Sequence, residues 1–167
     1  MKKSISLVGM AGAGKSSIGK QLADYLGFSF IDSDLLIENE HQESLQRVLD
    51  RLGKDNFLKI EEKTLMSIEF NNTILATGGS AIFSELAMDY LRNRSSIIFI
   101  KVPYNKIVER VSNFSERGFL KTSDQTIQEA FVERQSLYKN FADYEVANDA
   151  SQEKCLKKIL DLIHQKL

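Results

Sequence analysis

A glycine-rich segment near the start of the chain has the residue types and spacing that hold phosphate groups. Residues 9–16 read GMAGAGKS and match the pattern GxxxxGK(S/T), between a strand-like run and a helical pattern. In such a loop the backbone N–H groups surround the phosphates, Lys15 reaches the outer phosphates and the Ser16 hydroxyl ligates Mg²⁺. We assign nucleotide binding to Gly9, Gly12, Ala13, Gly14, Lys15, Ser16 and Ser17. A ligand-free glycine turn is the alternative, and a dinucleotide site is disfavoured because the GxGxxG spacing is missing.

Two acidic residues follow the next strand-like run. Asp32 and Asp34 come directly after residues 28–31, and on an extended segment their side chains point the same way. One carboxylate would then hold the water shell of a metal ion, and the other would accept a proton from an attacking hydroxyl. A turn with a helix N-cap ahead of Leu35 is the alternative, and it is compatible with both roles.

Short runs rich in β-branched residues alternate along the chain with longer amphipathic segments. Strands are predicted at residues 4–8, 28–31, 73–76, 97–102 and 144–147. Helices are predicted at residues 15–26, 44–52, 55–68, 85–91, 105–111, 126–141 and 151–167. This alternation predicts an α/β fold of three layers, α/β/α, with helices on both faces of a five-stranded parallel sheet. Ligands bind at the carboxyl ends of such strands, which is where the phosphate loop and the acidic pair lie.

The composition is that of one globular domain over residues 1–167, because 43% of residues are hydrophobic and no proline-rich or glycine-rich linker divides them. A net charge of -1 argues against nucleic acid as a partner. No apolar run approaches the roughly 18 residues that a membrane span needs. The single cysteine, Cys155, indicates the cytoplasm as the compartment. Residues 113–124 form a polar stretch that we interpret as a mobile lid.

Five sequence features, in this order and spacing, resemble the shikimate kinase family. They are the phosphate loop, Asp32-Ser33-Asp34, Ala76-Thr77-Gly78-Gly79, Arg117, and the stretch from Arg134 to Tyr138. The resemblance covers nearly the whole chain and implies a P-loop kinase fold like that of nucleoside monophosphate kinases. It also implies ATP and Mg²⁺ as the phosphoryl donor and the 3-hydroxyl of shikimate as the acceptor.

On the nucleotide side, the resemblance gives roles to five residues. Lys15 and Ser16 serve the phosphates and the metal, and Asp32 assists Mg²⁺. Arg110 resembles the residue that stacks on adenine, and Arg117 resembles the lid arginine that reaches the transferred phosphoryl group. Positive charge and exclusion of water around the moving group are what phosphoryl transfer needs.

On the acceptor side, Asp34 resembles the residue that binds the substrate hydroxyls and acts as the base. Gly78 and Gly79 resemble a substrate-binding turn, whose missing side chains let backbone N–H groups approach the ligand. Arg134 resembles the arginine that grips the substrate carboxylate, a group that suits the two parallel hydrogen bonds of a guanidinium.

The acceptor side also departs from the family pattern. Members of the family carry an arginine after the phenylalanine of a Phe-Arg-x-x-Glu stretch, where this chain has Leu58. Losing one charged contact to a buried carboxylate costs about 2 to 5 kcal/mol. Lys54 lies one helical turn earlier and is a candidate replacement, whereas Lys59 points about 100° away. The third glycine of the family is Ser80, and glycine replaces the lid proline at Gly118.

These features predict a shikimate kinase of aromatic amino-acid biosynthesis, monomeric and cytoplasmic, whose partner is a small molecule, shikimate or a related hydroxy acid. Two alternatives follow from Leu58 and Ser80. One is a kinase of the same fold with another small hydroxylated substrate. The other is a nucleotide-binding paralogue with weakened catalysis, against which the retained Asp34 and Arg117 argue, because binding alone needs no base.

Overall fold

The computed structural model describes residues 4–111, 114, 119–122 and 124–166. Its strands are β1 (Ser4–Val8), β2 (Ser29–Asp32), β3 (Thr73–Ala76), β4 (Ser95–Lys101) and β5 (Tyr144–Ala147). They form one sheet in the order β2-β3-β1-β4-β5, and every neighbouring pair is parallel. The predicted five-stranded parallel sheet is therefore confirmed.

The described helices are α1 (Lys15–Leu26), α2 (Ser33–His41), α3 (Leu45–Leu52), α4 (Lys54–Met66), α5 (Glu85–Arg94), α6 (Tyr104–Arg110), α7 (Ile127–Phe141) and α8 (Gln152–Lys166). A single 3₁₀ turn, Ala81–Phe83, precedes α5. No described helix is long and apolar enough to cross a membrane.

Alternating residues of the central strands separate the core into two apolar layers. On β4, Ile98 and Ile100 face a cluster that includes residues of α1 and α8, such as Leu22 and the buried Cys155. Ile97 and Phe99 face the opposite cluster, which contains residues of α4, α5 and α7. The predicted α/β/α layering is therefore confirmed. A third cluster joins α2, α3 and α4 around Ile37, Val48 and Phe57 and supports the wall of the candidate site.

Helix α2 is missing from the predicted helices and was foreseen only through the alternative of an N-cap ahead of Leu35, and it changes the geometry of the acidic pair. Asp32 ends β2 and caps α2, because its Oδ1 accepts the backbone N–H groups of Asp34 at 3.0 Å and of Leu35 at 3.4 Å. Asp34 lies in the first turn of the helix, so the predicted extended segment is wrong, although both aspartates line the same cleft. The N-cap alternative is the arrangement found. Apolar spacing does not indicate α2, because its leucines Leu35 and Leu36 are exposed and do not mark a buried face.

Candidate functional site

The phosphate loop connects β1 to α1 and brings Lys15 beneath it. Gly14 has a φ of 93°, a left-handed conformation that favours glycine, and it precedes the first residue of α1. Lys15 Nζ donates to the carbonyl oxygens of Gly9 at 2.7 Å and Met10 at 2.9 Å. Burial lowers the pKa of Lys15 to about 8, although the carboxylates of Asp34 and Asp32 oppose that shift. This buried ammonium group is positioned to attract phosphate oxygens.

Two oxygen-bearing side chains meet where β2 ends. Ser16 Oγ donates to Asp32 Oδ2 at 2.5 Å, while the other oxygen of Asp32 caps α2. Magnesium prefers such oxygen donors and is commonly bound through one or two carboxylates together with substrate phosphates. Ser16 Oγ and Asp32 Oδ2 lie together at the wall of the cleft and therefore fit a magnesium ion.

A cleft of about 520 Å³ lies over the phosphate loop. Its walls include Gly12, Ser16, Ser17, Asp32, Arg110 and Gln152. Ser17 Oγ donates to Gln152 Oε1 at 2.7 Å, which ties α1 to the start of α8. Arg110 donates to the backbone oxygen of Asn148 at 3.3 Å, so its side chain is held at the rim of the cleft. The structure thus brings six of the residues predicted for nucleotide binding to one surface, namely Gly12, Gly14, Lys15, Ser16, Ser17 and Arg110. Gly9 and Ala13 are buried and do not line the cleft.

A second, smaller cavity of about 40 Å³ adjoins the cleft. Its walls include Phe57, Gly79, Ser80, Phe119 and Arg134. Both cavities are lined by Ala11, Lys15, Asp34 and Leu45. Lys15 and Asp34 therefore lie at the junction of the two cavities.

The carboxyl group of Asp34 has a pKa close enough to neutral pH for it to accept and release a proton there. Burial is the main cause that raises its pKa to about 6, and the nearby Lys15 ammonium opposes part of that rise. A carboxyl with this pKa is mostly ionised at pH 7 and is a stronger base than an exposed aspartate.

Arg134 and Lys15 are the two cations that line the small cavity, and Arg134 is the one that does not also line the cleft. It is 1% exposed, it donates to the backbone oxygens of Gly79 and Leu120, and its guanidinium lies 4.3 Å from the ring of Phe119 and 5.1 Å from that of Phe83. Arg134 Nε is buried without a hydrogen-bond partner among the described residues. A buried guanidinium with an unused donor suits a carboxylate ligand.

The turn at Gly78 and Gly79 packs against the acidic groups of the site. Gly78 N–H donates to Ser33 Oγ at 2.9 Å. A Cβ atom at Gly78 would overlap Glu61 Oε1 and lie 2.6 Å from Asp34 Oδ1, so only glycine fits there. Close packing, rather than a positive φ, explains this glycine.

Sequence reasoning missed two residues that shape the small cavity. Glu61 is buried behind the turn, where Ser80 Oγ donates to Glu61 Oε2 at 2.5 Å. The Tyr138 hydroxyl donates to Gly79 O at 2.6 Å, and burial raises the pKa of this phenol, which keeps its proton available for that bond. Glu61 ends the stretch that corresponds to the family's Phe-Arg-x-x-Glu pattern, and Tyr138 ends the stretch that begins at Arg134, so both stood in segments already singled out in the sequence.

Three further predictions concern Lys54, Leu58 and the lid. Lys54 is exposed at the first turn of α4 and lines neither cavity, so the structure does not support it as a replacement for the missing arginine. Leu58 is half-buried and packs against the apolar cluster around Ile37. Arg117 and Gly118 lie outside the described residues, as does half of the predicted lid.

Comparison with known proteins identifies the family. The model of the family described as shikimate kinase matches residues 11–164. The chain belongs to the shikimate kinase family. The predicted family is therefore confirmed.

Relatives of the shikimate kinase family match nearly the full length of the chain. A shikimate kinase of Francisella tularensis subsp. novicida is 35% identical over 162 residues, which are 94% of this chain and 92% of that protein. One from Haemophilus influenzae is 34% identical over 167 residues, 97% of this chain and 93% of that protein. A structure of shikimate kinase from Acinetobacter baumannii in complex with shikimate matches with a TM-score of 0.87 and 30% identity, covering 98% of this chain and 94% of that one. The predicted P-loop kinase fold is confirmed by this likeness.

Proposed function

We propose that this chain transfers the γ-phosphoryl group of ATP to the 3-hydroxyl of shikimate. The observation that carries the proposal is the junction of the two cavities at Lys15 and Asp34. One cavity contains the phosphate loop and the other contains the buried cation Arg134. A phosphoryl donor in the cleft and an acceptor whose carboxylate enters the small cavity would meet between an ammonium group and a carboxylate.

In the proposed reaction, the acceptor hydroxyl oxygen bonds to the γ-phosphorus, and the bond from that phosphorus to the bridging oxygen of ADP breaks. Asp34 accepts the hydroxyl proton and later releases it to water. Lys15 and the loop backbone hold the phosphates and offset their charge. Ser16 and Asp32 would hold Mg²⁺, which would supply positive charge to the phosphate oxygens.

Recognition of the acceptor rests on Arg134, Asp34 and the turn at Gly78 and Gly79. The guanidinium of Arg134 is fixed by two backbone carbonyls and two aromatic rings, so little side-chain entropy is lost when it binds a carboxylate. Arg110 at the rim of the cleft would contact the base of the nucleotide. Arg117, for which the family resemblance implies contact with the transferred group, completes the proposed set of catalytic residues.

We further propose that the chain works as one domain and as a monomer in the cytoplasm. The residues that the proposed reaction needs, among them Lys15, Asp34 and Arg134, all belong to this one sequence, which supports a monomer. Cys155 is buried and forms no disulfide, which suits that compartment.

We expect ADP release from Mg-ATP to depend on shikimate in the unmodified chain. The test is a coupled ADP-release assay with shikimate and with a panel of other hydroxy acids, sugars and nucleoside monophosphates, run beside Leu58→Arg. Activity only on another acceptor would support a kinase of different specificity, for which the Leu58 site gives a physical reason. If the unmodified chain is inactive on shikimate and Leu58→Arg is active, the natural acceptor is likewise a molecule other than shikimate. ATP binding without turnover on any acceptor would favour a nucleotide-binding paralogue.

A further inference from the structure

Glu61 is a buried carboxyl group with an unusual set of partners. It is 2% exposed, and the hydroxyl of Ser80 donates to it at 2.5 Å. None of the ion pairs found among the described residues includes it. An ionised carboxylate in such a place normally has a cation in direct contact, because burial of an unpaired charge is costly.

The carboxyl of Glu61 lies directly behind the wall of the small cavity, where we place the carboxylate of the acceptor. Ser80 lines that cavity, and Gly78 separates Glu61 from Asp34 so closely that a Cβ atom there would touch both carboxyl groups. The charged groups that face Glu61 are Asp34 on α2, Lys15 on α1 and Arg134 on α7. A negative charge on Glu61 would therefore repel an anionic group that binds beside Arg134.

Leu58 and Ser80 are connected through Glu61. Leu58 and Glu61 are three residues apart on α4, so an arginine at position 58 would lie beside Glu61 and favour its anionic form. Leucine removes that cation, and its side chain packs into an apolar cluster instead. Ser80, where the family pattern has glycine, supplies the hydroxyl that Glu61 uses here.

We propose that Glu61 is a positioning residue that carries a proton at neutral pH, and that acceptor binding weakens when this proton is lost. The inference rests on the proposed function, because the acceptor it describes is shikimate. The neutral carboxyl leaves Arg134 free to attract the acceptor carboxylate. An anionic Glu61 would repel that carboxylate from behind Ser80 and Gly78.

The expected titration of Glu61 has a definite sign. Burial, followed by the charge of Asp34, raises its pKa to about 8, while the Ser80 hydrogen bond and the charges of Arg134 and Lys15 oppose the rise. Glu61 is therefore mostly protonated at pH 7 and mostly ionised at pH 9. Acceptor binding should weaken as the pH rises through this range.

The kinetic test compares the KM for shikimate at pH 7 and pH 9, with saturating Mg-ATP, in the parent and in Glu61→Gln. The parent KM should rise about tenfold, since one pH unit above a pKa of about 8 leaves roughly a tenth of the molecules protonated. The KM of Glu61→Gln should change less than about twofold, because the amide cannot ionise. An equal rise in both proteins, or a flat profile in the parent, would overturn the proposal.

Glu62→Gln is the matched control. Glu62 follows Glu61 on α4, and its Oε2 likewise accepts a serine hydroxyl, that of Ser84, at 2.5 Å, but it lines neither cavity. This variant should keep the pH dependence of the parent. Lys15, whose pKa is also about 8, is retained in all three proteins. The charge of Glu61 is the smallest of the influences on that pKa, so the titration of Lys15 contributes similarly in each protein.

A second measurement does not depend on turnover. NMR titration of isotope-labelled glutamate carboxyls should show one group titrating near pH 8 that is missing in Glu61→Gln. In Ser80→Ala that group should titrate at higher pH, because a hydrogen bond to the anion is lost. No such group would overturn the proposal even if shikimate is phosphorylated. Its presence in a protein inactive on shikimate would contradict the proposed function alone.

Discussion

Asp34→Asn is expected to lower kcat for shikimate phosphorylation by about 10²–10⁴-fold, the range for loss of a general base. Asparagine keeps the shape of the side chain, and the backbone N–H of residue 34 still bonds to Asp32, so the cap of α2 remains. The amide cannot take the proton from the acceptor hydroxyl. ATP affinity should stay within about threefold, because the phosphate loop and the Ser16–Asp32 pair are unchanged. Steady-state ADP release and calorimetric titration with Mg-ATP measure the two effects.

The control for Asp34→Asn is Glu40→Gln, which removes a charge from an exposed position on the same helix. It should leave kcat near that of the parent. An Asp34→Asn protein with full activity would show that Asp34 is not the base. Equal losses in both variants would indicate a general electrostatic effect of α2.

Arg134→Met should reduce kcat/KM for shikimate by about 30-fold to several thousand-fold, which corresponds to the 2 to 5 kcal/mol of a buried charged pair. Methionine has a similar length and suits the contacts with Phe83 and Phe119, so packing should be largely kept. The acceptor carboxylate would lose its guanidinium partner. KM for ATP should change little, because Arg134 lines only the small cavity.

Arg94→Met is the matched control for this substitution. The guanidinium of Arg94 also lies over an aromatic ring, 3.7 Å from that of Tyr90, and also donates to a backbone carbonyl, but it is remote from both cavities. Its kcat/KM for shikimate should match the parent. If Arg134→Met matches the parent as well, a different group must bind the carboxylate. Thermal unfolding of both variants separates a loss of fold from a loss of binding.

The phosphate loop was predictable from sequence because its chemistry depends on local spacing. Glycines and Lys15 occur at fixed offsets between a strand and a helix, and the same spacing that suggested the loop also determines its conformation. The sheet was predictable for a similar reason, since short β-branched runs between amphipathic helices leave few alternatives to a parallel arrangement.

Local sequence patterns did not predict the geometry of the acidic pair, Asp32 and Asp34. The two aspartates were identified, but their geometry depends on where β2 ends, and the short helix α2 exposes Leu35 and Leu36 instead of showing a clear apolar face. Asp32 accordingly acts as a helix cap and as the partner of Ser16. Element boundaries depend on tertiary packing more than on propensity.

The acceptor side was the least predictable part because it depends on long-range contacts. The Glu61–Ser80 hydrogen bond joins residues 19 positions apart, and the Tyr138–Gly79 bond joins residues 59 positions apart. Lys54 was offered as a replacement cation from helical spacing, but it lies on the exposed first turn of α4. Behind Gly78, the wall of the small cavity contains the Ser80–Glu61 hydrogen bond instead of a cation from α4.

Phosphorus NMR of the chain incubated with Mg-ATP and shikimate tests the central claim most directly. The claim is that donor and acceptor meet at Lys15 and Asp34 and that the phosphoryl group moves between them. The expected spectrum shows ADP together with one new phosphate monoester, whose phosphorus couples to the ring proton on the carbon that bears the 3-hydroxyl. Formation of ADP and inorganic phosphate without that ester, or an ester at another hydroxyl, would contradict the account.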